Sequence, residues 1–265
     1  MYNTEYFVSE ARKLGIELND HQVGQFISYY ELLLEWNSFM NLTAITDYDE
    51  VIRKHFLDSI SILHAIQVSR KCRFIDSDLI ISGEKGFDDS SFFDNNESIS
   101  LIDVGSGAGF PGIPLKIAFP NMKITLLDSL AKRVKFLNEV ISQLGLTNIE
   151  AVHGRAEDYA SPSKLREKYD FCVSRAVANL SSLSEYCIPF VKVGGFFIPY
   201  KSERGKEEIM NARNAISLLG GDLVACSEFS LADTDLFRSF YFIRKAKNTS
   251  KKYPRKSGTP TKEPL

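Results

Sequence analysis

The sequence predicts an α/β protein: a Rossmann-like, mostly parallel sheet closed by a C-terminal antiparallel hairpin and preceded by a small helical region. Three observations carry this. The apolar run Leu101-Ile102-Asp103-Val104 ends in alternating glycines, Gly105, Gly107 and Gly109, with Gly112 following. Strand-like and helix-like segments alternate from there to residue 219. The last two extended runs have no helix between them, so they should pair antiparallel.

Taken in order, the first hundred residues read as helices. Asn19 or Asp20 can cap a helix in which Phe26, Tyr29, Leu33, Trp36 and Met40 form an apolar stripe. Asp47, with Glu50 three residues on, opens a second helix that presents Ile52, Phe56, Ile60 and Leu63. The two stripes should pack on each other and on the sheet edge. Residues 71–98 break the pattern. They have no period, and from Asp76 to Glu97 the acids Asp76, Asp78, Glu84, Asp88, Asp89, Asp94 and Glu97 stand against only Lys85, which reads as an acidic, mobile surface insertion docked at most by Phe92-Phe93.

Pro111 and Pro114 sit where a first helical turn tolerates proline, and Pro120 stops that helix. Lys123 to Asp128 is the next strand. Ser129 can cap a helix whose stripe is Val134, Leu137, Ile141 and Leu144, with Gly145 at its end. Ile149 to His153, Phe171 to Ser174 and Phe196 to Tyr200 are further strands. Glu203 to Leu219 is a charged helix, and Leu223 to Phe229 and Ser239 to Arg244 make the hairpin. The chain thus divides into a helical region (1–70), the insertion (71–98), a nucleotide-binding domain (99–246) and a basic tail (247–265).

Net charge is −2, but an acidic insertion hides a basic tail in that total. No window approaches a membrane span and no apolar leader is visible, so a cytoplasmic protein is expected. Cys72, Cys172, Cys187 and Cys226 form no CxxC pair, and no metal-ligand spacing appears.

Ligands of an open α/β sheet sit beyond the carboxyl ends of its strands. Gly107 to Gly112 fits GxGxxG, which would admit NAD and an oxidoreductase. The glycine that comes straight off the strand is Gly105, so GxGxG is the natural register. An acid two residues earlier, Asp103, then resembles the first motif of S-adenosylmethionine (SAM) methyltransferases, where a carboxylate can help hold the methionine end. The closing hairpin favours the same reading, since a NAD domain usually returns with a sixth parallel strand. Asp128 can accept ribose hydroxyls in either case. Ala156 and Glu157 can read an adenine edge, although acids at a helix start would look the same. After the fourth strand, Ser174-Arg175-Ala176-Val177-Ala178 lacks the Asn-Pro-Pro-Tyr of exocyclic-amine methylation and any cysteine, which argues against adenine N6 and cytosine C5 targets. Tyr200-Lys201 lies at the same rim. Arg53 and His55 could contact RNA phosphate. In the tail, Lys251, Lys252 and Arg255 offer phosphate contacts and Tyr253 a stacking ring.

LIDVGSGAGFPGIPLKIAFP, LLDSLAKRVKFLNEV, GRAEDY and SRAVANL resemble the RsmG (GidB) family of bacterial small-subunit ribosomal RNA guanine-N7 methyltransferases. WNSFMNLTAITDYDEVIRKHFLDS and YPRKSGTPTKEPL resemble the two ends of the same family, and the insertion is the departure from it. The resemblance implies the seven-stranded SAM-dependent methyltransferase fold. It implies SAM as cofactor and, as substrate, N7 of a 16S guanosine (position 527 in the usual rRNA numbering), in free RNA or a ribosomal particle. By position it places Gly105, Phe110, Ala156, Glu157 and Arg175 against SAM and Asp128 on the ribose, with Gly107 and Gly109 making room. Arg175 is also the residue expected to act on the substrate, a monomer is expected, and no metal is implied. The alternatives are a non-catalytic, nucleotide-responsive RNA-binding assembly factor, an NAD enzyme, and a SAM enzyme with a protein or small-molecule acceptor.

Overall fold

A computed structural model describes residues 2–75, 78–87, 98–175, 177–231 and 234–265. A single nine-stranded sheet runs through it, in the order β2-β1-β8-β9-β7-β6-β3-β4-β5. β3 (Ser100–Val104), β4 (Lys123–Asp128), β5 (Ile149–His153), β6 (Tyr169–Arg175) and β7 (Val191–Lys201) are parallel. β9 (Phe237–Lys245) inserts antiparallel between β7 and β8 (Gly221–Ser230). Five parallel strands closed by this hairpin make a Rossmann-like methyltransferase fold, and the absence of a sixth parallel strand among the described residues removes the NAD-domain reading.

Alternate residues of one strand feed two cores, as the period of two requires. Leu101 packs with Phe7, Phe26, Phe56 and Phe136 on one face. Ile102 and Val104 pack with Leu183, Phe190 and Ile216 on the other. The first face is covered by α1 (Glu5–Lys13), α2 (Asp20–Met40), α6 (Gly112–Ala118), α7 (Ala131–Gln143) and a helical run across Tyr48–Val68. The N-terminal helices therefore lie over a face of the sheet, not along its edge. The Asn19 side chain accepts the Gln22 N–H at 2.9 Å while the Gln22 side chain accepts the Asn19 N–H, a reciprocal cap for α2. Asp47 likewise accepts the Glu50 N–H at 3.0 Å. The helix it opens passes through a π-helical stretch, Ile52–Leu57, before α4 (Asp58–Ile60) and α5 (Ile62–Val68). Short α8 (Ala156–Tyr159) follows β5. On the second face lie α9 (Leu180–Cys187), α10 (Gly205–Asn211) and α11 (Arg213–Leu218), the last two replacing the single helix expected over 203–219. α12 (Thr259–Lys262) ends the chain's elements.

Three further expectations are corrected. The insertion is not irregular throughout: β1 (Arg70–Ile75) and β2 (Asp78–Lys85) form an antiparallel hairpin, and β1 pairs with β8 at Arg70↔Cys226 and Lys71↔Ala225. Cys72 turns inward and Phe87 is buried against Phe196 and Phe242, which anchors both arms of the hairpin at its open end. The acidic stretch 88–97 and Phe92-Phe93 lie outside the described residues. Second, Ser129 does not cap α7; the Asp128 side chain accepts the Leu130 N–H at 2.9 Å instead. Third, the C-terminal segment is folded, with Tyr253 and Thr249 buried. Among the described residues, no helix is long and apolar enough to cross a membrane.

Candidate active site

The chain leaves β3 outward to β4 and β5, then returns to β6 on the other side of β3. This switch point opens a crevice at the carboxyl ends of β3 and β6. The Ser174 hydroxyl donates to the Val104 carbonyl at 2.7 Å and fastens the two strand ends together. The glycine turn is held from behind. Gly105 N–H donates to Leu127 O at 2.7 Å, Gly107 N–H to Asp128 Oδ2 at 2.9 Å, and Gly112 N–H to Asp103 Oδ2 at 3.0 Å. Gly105 has φ +76°, and a Cβ there would lie 2.5 Å from a methyl of Val177. Glycine is therefore required both by conformation and by close approach.

Two cavities flank this turn. The first, about 350 Å³, runs from Gly105 and Leu127 to Ala156, Glu157 and Tyr186. The second, about 610 Å³, lies off the ends of β6 and β7 and is lined by Arg175, Lys201, Arg204 and Arg238 together with Glu207 and Glu208. Val177, Ala178 and Asn179 line both, so these three residues are a shared wall.

The second cavity owes its charge to one buried carboxylate. Asp58 is fully buried and takes Arg175 Nη1 at 2.6 Å on Oδ2, with Arg238 Nε at 2.5 Å on Oδ1 and Arg238 Nη2 at 3.0 Å on Oδ2. One negative charge thus holds two guanidiniums, which leaves a local surplus of one positive charge at the cavity. Arg175 also donates to Lys54 O at 3.1 Å and sits over the Phe110 ring, 5.0 Å from its centroid. The Lys201 ammonium reaches Glu208 at 2.7 Å and Ala178 O at 2.9 Å.

The rRNA small subunit methyltransferase G family model matches residues 22–78 and 88–237, most of the chain. This chain belongs to that family. Over 265 residues it is 50% identical to the ribosomal RNA small subunit methyltransferase G of Lachnoclostridium phytofermentans, covering 100% of this chain and 98% of that one. It is 48% identical over 255 residues to the protein of the same name from Alkaliphilus metalliredigens, covering 96% and 95%. Among solved structures, the M. jannaschii TYW2 complex with AdoMet covers 66% of this chain and 87% of its own, with 13% identity and a TM-score of 0.47.

In this chain the expected site residues separate into groups. Gly105, Ala156 and Glu157 line the first cavity, and Arg175 and Lys201 the second. Gly107 and Gly109 shape the turn, where the Tyr29 hydroxyl donates to the Ala108 carbonyl between them. Phe110 is buried under His55 and Arg175 and lines neither cavity. Asp128 is buried, with both oxygens accepting backbone N–H groups and Arg133 at 3.5 Å. Its observed work is to fix the turn.

Three residues expected at RNA phosphate have partners within the chain. Arg53 lies two positions from His55 and so projects from a different side of its helix; its guanidinium stacks on Tyr6, away from the crevice. His55 stacks on Phe110 at 4.5 Å, hydrogen-bonds Thr43 at 2.9 Å, and has its pKa lowered to about 4 by burial and by Arg175. A neutral, half-enclosed imidazole brings no charge to a phosphate. Arg255 is paired with buried Glu185, Nη2 to Oε2 at 2.7 Å, and Tyr253 is buried, so neither is a free contact for RNA. Sequence reasoning grouped Asp58 with Arg53 and His55 on one helix, with a solvated face and a local ion pair as the alternative; the structure buries it instead. The residue that sequence reasoning missed is Arg238, 180 positions from Asp58 along the chain.

Asp103 is fully buried, and its Oδ1 has no hydrogen-bond partner. Burial pushes its pKa up to about 7 against the Gly112 N–H bond, which pulls it down. The folded state therefore holds this proton more tightly than the unfolded chain. The stability it contributes is lost as pH rises from about 4 to about 7. Asp103→Asn removes the titration. Tm of the native chain relative to this variant is expected to fall across that window in thermal melts, while the opposing His55 term cancels between them. A pH-independent difference would place Asp103's folded pKa at its ordinary value.

Proposed function

We propose that this chain methylates N7 of a guanosine in small-subunit ribosomal RNA, with SAM as donor. Membership of the family carries the coarse part, a SAM-dependent methyltransferase of small-subunit ribosomal RNA. The finer part is supported by one observation above all: a cavity beside the glycine turn and a second, basic cavity share the wall 177–179. Donor and acceptor placed in the two would meet across it.

The first cavity fits SAM on this structure's own terms. Its volume suits a small-molecule site, and Gly105 is a cradle that a Cβ would fill. Ala156 and Glu157 would face the nucleoside, and Gly105 would let it approach. When bound, SAM supplies an electrophilic methyl on a sulfonium.

Guanine N7 carries a lone pair and no proton, so the protein need only align it and exclude water. The second cavity offers groups for that alignment. Arg175, steadied by Asp58, can hold guanine O6 or an adjacent phosphate, since arginine pairs well with both. Glu207 can accept from guanine N1–H and its 2-amino group, a donor pair that adenine lacks. Lys201 is oriented by Glu208 at the same rim, and the exposed Lys251 and Lys252 remain as phosphate contacts. The base must be splayed from its stack to reach a cavity of this depth.

Small-subunit RNA from cells lacking the gene, free or as particles, is the test substrate, with mass mapping of the methylated nucleotide. Appearance of N7-methylguanosine supports the reading; a methyl on another atom or base refutes its finer part. Arg175→Ala is expected to lower methylation roughly 10- to 100-fold, about 1.4–2.7 kcal/mol of barrier, with S-adenosylhomocysteine affinity unchanged by calorimetry. Lost S-adenosylhomocysteine affinity would move Arg175 to the donor side.

A further inference from the structure

The segment after β9, whose Lys251, Lys252 and Arg255 were expected to contact RNA phosphate, turns back over α8 and α9. Its first half is anchored by two built clusters. The Arg166 guanidinium donates to Thr249 O at 2.5 Å and Tyr253 O at 2.8 Å. The fully buried Glu185 carboxylate is met by the Arg255 side chain and by the Arg255 backbone N–H at 2.6 Å. Its second half then passes along the first cavity. Gly258 N–H donates to Glu157 Oε1 at 3.0 Å, the Ser182 hydroxyl donates to Pro260 O at 2.6 Å, and the Thr261 and Tyr186 hydroxyls are bonded at 2.7 Å. Thr261 itself lines the cavity beside Ala156, Glu157 and Tyr186.

We infer that residues 257–265 form one wall of the methyl-donor cavity and set the position of Glu157, so that this C-terminal segment governs donor affinity. The inference rests on assigning the 350 Å³ cavity to the donor. Glu157 is the side chain through which it acts. With Oε1 committed to the Gly258 amide, the carboxylate is held in one orientation, and Oε2 is left for a ligand group. Preorganising a side chain in its bound orientation raises affinity because less rotamer freedom is lost on binding. Gly258 can present its amide this way because it sits at φ +84°, with open space where a Cβ would be. The basic residues Lys251 and Lys252 precede the wall and are separable from it.

The experiment compares the full chain, a truncation after Lys256 and the single substitution Gly258→Val. The truncation keeps the Tyr253 bond to Arg166 and the Arg255 bonds to Glu185, and removes the wall together with the Arg255 bond to Glu263 O at 2.7 Å. Gly258→Val leaves all cavity side chains in place but makes the left-handed backbone unfavourable. S-adenosylhomocysteine binding is read by calorimetry, binding to protein-free small-subunit ribosomal RNA by gel retardation, and folding by circular dichroism. The truncation is expected to weaken S-adenosylhomocysteine roughly tenfold or more and Gly258→Val several-fold, with RNA affinity within about twofold of the full chain. If the truncation is folded and binds S-adenosylhomocysteine like the full chain, or loses only RNA affinity, the inference is overturned. Should the truncation unfold, the Gly258→Val result decides in the same way. Failure of the full chain itself to bind S-adenosylhomocysteine would instead refute the donor-cavity assignment. Binding without methylation of guanosine N7 would refute the acceptor reading and leave the wall standing.

Discussion

Asp58→Ala is expected to destabilise the fold by about 3–5 kcal/mol, the largest effect of any single change outside the apolar core. Asp58 is fully buried, while the Arg175 and Arg238 side chains are only 14% and 16% exposed. Removing the carboxylate leaves two guanidiniums facing each other with little solvent to screen them. The effect exceeds that of a surface ion pair because neither arginine can retreat into water without dismantling its neighbours. Arg175 is packed over Phe110 and Arg238 lies in the closing hairpin. Urea denaturation should show a lower midpoint at an unchanged slope. Asp58→Asn, which keeps acceptor oxygen but no charge, should fall between the two. A loss below about 1 kcal/mol for the alanine variant would mean that the cluster behaves like an exposed bridge. The arginines' aim into the second cavity would then need another cause.

Gly105→Val is expected to weaken S-adenosylhomocysteine binding about a hundredfold, or about 2.7 kcal/mol. Two penalties act together. A β-branched residue at φ +76° is strained by about 1–3 kcal/mol, and its Cβ would collide with Val177. Either the turn shifts, breaking the Gly105 bond to Leu127, or Val177 moves and the wall between the cavities moves with it. Adding Val177→Ala removes the collision but not the strain, so it should recover part of the affinity. Calorimetry on both variants checks this. Unchanged affinity in Gly105→Val would mean that the donor binds elsewhere.

The parts of this architecture that depend on neighbouring residues were legible in the sequence. The bounds expected for β4 and β5 are those observed, because a short apolar run between turn residues has few alternatives. The Asn19 and Asp47 caps were legible for the same reason, since the capping partner lies three residues on. The crevice followed from the Gly105 turn and the carboxyl-end rule. What was not legible depends on distant pairing. Asp58, Arg175 and Arg238 become a cluster only when β6 and β9 are folded against the N-terminal helices. The tail's composition suggested a solvated basic arm, and nothing local to Arg255 reveals that Glu185 is its buried partner. The β1–β2 hairpin was masked by the acids around it, although Cys-Arg-Phe-Ile and Leu-Ile-Ile are ordinary strand material. Arg53 and His55 were grouped by closeness in sequence, where the helix sends them apart.

That hairpin also changes which strand meets solvent at the open side of the sheet. Without it, β8 would end the array with its backbone donors and acceptors unpaired, ten residues of ready template for another chain. β1 covers β8 only midway along it, at Ala225 and Cys226, and the outermost strand among the described residues is β2, on which Ile80 and Ile81 are 44% and 45% exposed. The charges that interrupt this rim, Asp78, Glu84 and Lys85, then act as gatekeepers. Neutralising them should promote rim-to-rim aggregation at high protein concentration without altering the crevice at the carboxyl ends of β3 and β6.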